Sequence, residues 1–287
     1  MTPAAALKLG RVSNLPTVWS NVLAGAVLAA GAVDVLVAFW LMAGLSLLYV
    51  AGMYLNDAFD HRIDAIERPE RPIPSGQASL PTVFAAGFGL LAVGLGLLAW
   101  VGQTTIGGWK VTASGAALAV AVLVYDWHHK NNAWSPVVMA VCRVLVYVTA
   151  GFAVAAVLPV RLVAGAAALF CYLIGLTYAA RFEAAGAVGR PWPLLLLAVP
   201  LAYGIGASLD NPLGLAVHIF FIAWVLRSVL ILRTGGTHVS SGVAALIAGI
   251  SLLDASMIAS AGETSLAILA IGCFLATIAL QRRVPAT

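Results

Sequence analysis

VLVAFWLMAGLSLLYVAGMYLNDAFDHRID, residues 35–64, joins two chemistries in thirty positions. Its first twenty-one residues carry no charge, which matches the about 20 apolar residues that a helix needs to cross a bilayer. Its end is the most polar part of the chain: five of the eleven carboxylates lie between Asp57 and Glu70. Asn56, Asp60 and Asp64 are spaced four apart, so a helix continued through them places the three on one stripe over two turns. Amide and carboxylate oxygens crowded in this way repel one another unless a cation lies between them. Hard oxygen donors of this kind suit Mg²⁺, which is bound through a few carboxylates together with the phosphates of a substrate.

Working outward, the 287 residues are 62% hydrophobic and 9% charged, with a mean hydropathy of +1.01 and no polar stretch long enough for a separate soluble domain. The apolar runs do not alternate with period two, so they read as helices and not as barrel strands. The fold expected is all-α, a single domain over 1–287: a polytopic transmembrane bundle of nine or ten helices with a polar cavity facing the cytoplasm. Ten candidate spans fall at about 12–33, 35–55, 80–101, 109–125, 135–157, 162–180, 193–209, 213–232, 238–260 and 264–281. No small-residue cleavage site follows the first, which therefore reads as a retained anchor.

Lysine and arginine assign the sides. Lys8, Arg11, Arg62, Arg68, Arg71, Lys130, Arg181, Arg190, Arg233, Arg282 and Arg283 fall on the side of the 56–79 loop, and only Lys110 and Arg161 on the other. That bias places the acid-rich loop in the cytoplasm, the membrane being the inner membrane if the cell is a bacterium. The net charge of +4 is thus a statement of orientation, not of nucleic-acid binding. Cys142, Cys171 and Cys273 fall inside spans with no ligand spacing, and read as unpaired apolar side chains. Nothing in the sequence bears on oligomeric state.

Other polar residues gather at the same mouth. Arg68 and Arg71 follow the acids, and guanidinium groups beside a carboxylate-bound ion make sense when the ligand carries phosphates. The loop Tyr125-Asp126-Trp127-His128-His129-Lys130 offers Tyr125 as a hydroxyl and Lys130 as a phosphate-binding cation. Its adjacent histidines point about 100° apart on a helix and suit one metal poorly. Arg143 lies two turns into the fifth span, where a charge is costly and faces a polar cavity. Arg227, nearer a span end, reads as snorkelling, and His218 and Asp254 as helix-to-helix hydrogen bonds. Asn14 and Asn21, seven apart, share one face.

Asn56-Asp57-x-x-Asp60-x-x-x-Asp64, followed by Arg68-x-x-Arg71-Pro72-Ile73-Pro74-Ser75-Gly76, resembles the first aspartate-rich motif of the UbiA superfamily of intramembrane prenyltransferases. The similarity extends through Asn14, Tyr125, Lys130 and Arg143. The resemblance implies transfer of a prenyl group from a prenyl diphosphate to a small acceptor, aromatic or a polar alcohol, in a bundle open to membrane lipid. It implies Mg²⁺ on Asn56, Asp60 and Asp64, with Lys130, Arg68 and Arg143 neutralising the diphosphate further. With the reading of the loops, the catalytic candidates are Asp60, Asp64, Lys130 and Glu183, and the substrate-binding candidates Asn14, Asp57, Arg68, Arg71, Tyr125, Arg143, Arg181 and Arg190. The chain departs from the pattern after the sixth span. There Ala187 stands four residues past Glu183, where a second acid would complete the family's second motif. Either Glu183 suffices alone, or Arg181 and Arg190 take over part of the charge neutralisation, or catalysis is lost. A binder, carrier or transporter of a prenylated lipid precursor is the competing expectation, although no broken or inverted helix pairs favour transport.

Overall fold

The computed structural model describes residues 1–129, 132–184, 192–209, 211–234 and 238–284, with side chains described except at 179–184, 192–194, 207 and 238. The described elements are helical. A short α1 (Pro3–Leu9) and a 3₁₀ turn (Val12–Asn14) precede α2 (Leu15–Ala30), α3 (Val35–Phe59), the short α4 (His61–Glu67), α5 (Leu80–Thr104) and α6 (Trp109–His128). They are followed by α7 (Ser135–Val154), α8 (Val160–Ala184), α9 (Trp192–Ser208), α10 (Pro212–Arg233), α11 (His238–Ser260) and α12 (Thr264–Gln281). The ten long helices match the ten expected spans one for one. Eight are long and apolar enough to cross a membrane, while α2 and α9 are shorter, at 16 and 17 residues. The protein is an integral membrane protein.

Local signals account for several boundaries. Asp34 caps α3 by accepting from the backbone N–H of Leu36 and Val37 at 2.9 and 3.1 Å. Ser79 caps α5 by accepting from the Thr82 N–H, with Pro81 in the first turn where its missing donor is not needed. The acid stripe departs from expectation in one respect: the helix does not run unbroken to Asp64, but α3 ends at Phe59 and α4 begins at His61. Asp60 is the joint, with φ −80° and ψ −3°. The backbone bonds Asp60 N–H to Asn56 C=O (3.0 Å) and Asp64 N–H to Asp60 C=O (2.9 Å) persist across it, which keeps the three residues in register.

Packing places α2, α7 and α11 at the centre, with α3, α6 and α8 around them, α5 laid on α3, and α9, α10 and α12 beyond α11. Small residues permit this. A Cβ on Gly25 of α2 would lie 2.7 Å from the Tyr147 carbonyl oxygen, so the α2 and α7 backbones are in direct contact. α11 reads Gly-Val-Ala-Ala-Leu-Ile-Ala-Gly over residues 242–249 and is the most enclosed of the candidate spans. Between apolar solvent and apolar neighbours there is little hydrophobic driving force, so close backbone approach and buried polar bonds hold such helices together. His218 is one such bond, paired with Ser256 Oγ at 2.9 Å and the Leu201 carbonyl at 2.8 Å. The three cysteines are unpaired and half-buried.

Candidate functional site

A cavity of about 730 Å³ opens between α2, α3, α6, α7, α8 and α11. Its walls divide by chemistry. Leu45 and Leu48 of α3, Leu118 of α6, Val146 of α7 and Ile250 of α11 make an apolar hollow. The rim is polar: Arg11, Asn56, Asp60, Arg68, Arg71, Tyr125, Asp126 and His129. Arg143 brings a fourth arginine to the lining, against two aspartates, so the described wall carries a positive excess suited to an anion.

The stripe is buried as a unit: Asn56, Asp60 and Asp64 are 6, 5 and 1% exposed. Asn56 and Asp60 line the cavity, and Asp64 lies behind them. Asp60 Oδ2 pairs with His129 Nε2 at 3.1 Å, and the His129 ring stacks on Tyr125 with centroids 4.9 Å apart. Asn56 Nδ2 donates to Asp126 Oδ1 at 3.2 Å. Asp64 Oδ2 accepts from Arg71 at 2.6 Å. Asp57 is one residue round the helix from Asn56 and does not line the cavity. It bridges Arg11 (3.0 Å) and Arg71 (3.2 Å) instead, so it holds the two rim cations in place.

The remaining sequence candidates divide. Arg68, Arg71 and Tyr125 line the cavity, as does Asn14, which accepts from Gln281 Nε2 at 3.2 Å. Arg143 lines it from α7, donating to Asn21 Oδ1 at 3.1 Å with its guanidinium 5.5 Å from the Tyr49 ring centroid. Arg181 and Glu183 belong to the last turn of α8, but their side chains lie outside the description, and Lys130 and Arg190 lie outside the described residues. Sequence reasoning did not single out Arg11 or Asp126, and weighed His129 only as half of a metal pair with His128. Arg11 adopts a left-handed conformation (φ 40°), uncommon for a residue with a side chain, to reach Asn56 and Asp57. Asp126 had one signal, a carboxylate where the apolar run ends in a polar loop; the geometry of the histidine pair suits one ion poorly.

The donor chemistry fits a hard cation. Asn56 and Asp60 present oxygens at the rim, and the buried Asp64 Oδ1 and Asp126 Oδ2 have no hydrogen-bond partner among the described residues. The acids are nonetheless divided among Arg11, Arg71 and His129, and the described residues bring together no group of three or more His, Cys, Asp or Glu around a common point.

Comparison with known proteins supplies the context. The model of the UbiA prenyltransferase family matches residues 18–258. The digeranylgeranylglyceryl phosphate synthase of Methanopyrus kandleri is 30% identical over 128 residues, 45% of each chain, and the chloroplastic chlorophyll synthase of Arabidopsis thaliana 37% over 84 residues, 28% of this chain and 22% of that one. The matched stretches thus span less than half the length of these relatives. Among solved structures, a UbiA homolog from Archaeoglobus fulgidus bound to GPP and Mg²⁺ superposes with a TM-score of 0.62 at 14% identity, over 91% of this chain and 99% of that one. A structure of digeranylgeranylglyceryl phosphate synthase gives 0.64 at 18%, over 90% and 97%. At these identities the superpositions establish a shared fold.

Proposed function

Because the chain belongs to the UbiA prenyltransferase family, we propose that it transfers a prenyl group from a prenyl diphosphate to a small acceptor inside the membrane. One observation carries the reading: a single cavity has an arginine- and acid-lined rim and an apolar interior, the two halves of an allylic diphosphate. Arg11, Arg68 and Arg71 bind phosphate oxygens at the rim and Arg143 binds them from the far wall. In the reaction the bond from C1 to the bridging oxygen breaks and its electron pair leaves with the pyrophosphate. The acceptor attacks C1 and releases a proton. Positioned guanidinium groups stabilise the charge gathering on the leaving group, and the apolar walls keep water from the allylic carbon. Asn56, Asp60 and Asp64 would hold Mg²⁺, which when bound neutralises the diphosphate further. Lys130 and Glu183 are proposed to act in catalysis, and Arg181 and Arg190 to bind the diphosphate, at a mouth on the cytoplasmic side.

The test uses purified protein with labelled farnesyl or geranylgeranyl diphosphate, Mg²⁺ and an acceptor panel. Relatives named for digeranylgeranylglyceryl phosphate put glyceryl phosphate lipids first in that panel, ahead of aromatic acceptors. Pyrophosphate release that is lost in Asp60→Ala and in EDTA supports the enzyme. Mg²⁺-dependent binding without turnover, with every acceptor, supports the carrier instead.

A further inference from the structure

Away from the rim, the bundle holds a second polar cluster at the junction of α2, α7 and α11. Its centre is Asp254, fully buried on α11. The carboxylate accepts from Ser20 Oγ at 2.5 Å, from Asn21 Nδ2 at 2.8 Å and from the Tyr147 hydroxyl. A buried acid in a membrane bundle is costly, and here three donors from two neighbouring helices, α2 and α7, are arranged to satisfy it.

The direction of these bonds matters. An ionised carboxylate only accepts, so the Asn21 amide must turn its NH₂ toward Asp254. Its carbonyl then faces the other way, where it receives Arg143 at 3.1 Å. Arg143 is held on one side by this oxygen and on another by the face of Tyr49, and it forms part of the cavity wall. Asn21 therefore lies between a buried anion and a half-buried cation, with its dipole aligned to both. Among the described residues of this network Asp254 is the one acid, and so supplies the counter-charge to Arg143.

We infer that Asp254 is a positioning residue: acting through Asn21, it holds the Arg143 guanidinium in the cavity wall, where it meets the pyrophosphate of the ligand. The last clause rests on the function proposed above. The first does not, and the two are tested apart.

Affinity for a non-ionising thiolodiphosphate analogue of farnesyl diphosphate is measured calorimetrically with Mg²⁺ for the full chain and its variants. D254N is expected to weaken binding about tenfold, the worth of one hydrogen bond to a charged group, and R143Q at least as much. The exchanged pair N21D/D254N moves the carboxylate to position 21, against Arg143, and leaves an amide at 254 whose carbonyl can accept from Tyr147 while its NH₂ donates to the carboxylate now at position 21. It is expected to return affinity to within about threefold of the parent, a rescue that a merely structural role would not produce. Parental affinity in D254N alongside a loss in R143Q overturns the inference, as does an exchanged pair no better than D254N. Thermal unfolding reads the pairing without any ligand: D254N/R143Q should be at least as stable as R143Q, because the second change removes an orphaned charge. Losses that simply add overturn the pairing. A parent chain that does not bind the analogue refutes the prenyl diphosphate reading, and the unfolding cycle then decides the pairing alone.

Discussion

Replacing Arg71 by leucine removes one cation from between two buried acids, and the structure says how unequal the consequences are. Asp57 keeps Arg11 at 3.0 Å, so it retains a counter-charge. Among the described residues Asp64 keeps nothing comparable: its side chain is 2% exposed, its 2.6 Å bond to Arg71 is lost, and its other oxygen has no hydrogen-bond partner there. Removing one partner of a buried ion pair costs roughly 3–5 kcal/mol, because a desolvated charge is left behind. With one orphaned acid and not two, and with the Arg71 side chain itself 16% exposed, the lower end applies: about 3 kcal/mol for Arg71→Leu. Adding Asp64→Asn exchanges that charge for an unsatisfied amide, worth roughly 1 kcal/mol, so the double variant should recover about 2 kcal/mol. Unfolding free energies from denaturant titration in mixed micelles, completed as a double-mutant cycle, check this. A single variant within about 1 kcal/mol of the parent, or a double variant no more stable than the single, would refute the assignment of Arg71 as the counter-ion of Asp64.

Arg143→Leu should lower analogue affinity and turnover at least about tenfold, whereas Arg227→Leu, whose guanidinium lies over the Trp224 ring at 5.2 Å and outside the cavity lining, should stay within about twofold; steady-state kinetics compare the two, and the reverse order contradicts the placement. Glu183→Gln should lower turnover without abolishing diphosphate binding, and turnover equal to the parent's would show that the end of α8 takes no part in catalysis. Gly25→Ala places a Cβ 2.7 Å from the Tyr147 carbonyl oxygen and 2.9 Å from its Cα, so α2 and α7 must separate at a cost of about 1–3 kcal/mol. Thermal unfolding measures it, and an unshifted midpoint would deny the close approach.

The polymer's own pattern determined the architecture. Uncharged runs of about twenty residues oblige helices wherever lipid offers no partner for a free N–H or C=O, and this placed ten elements without knowledge of any contact. The four-residue spacing of Asn56, Asp60 and Asp64 likewise follows from the helical ladder, which carries their register even across the joint at Asp60. What the pattern could not supply was partners. Asp64 finds Arg71 seven residues on, Asn56 finds Asp126 seventy residues on, and Ser20 finds Asp254 across 234. Each meeting depends on how two helices are rotated about their axes, and helices apolar on every side carry little periodicity from which that rotation could be read. For the same reason Asp254 was visible in the sequence as an isolated intramembrane acid, while its part in setting Arg143 through Asn21 appeared only once α2, α7 and α11 were packed together.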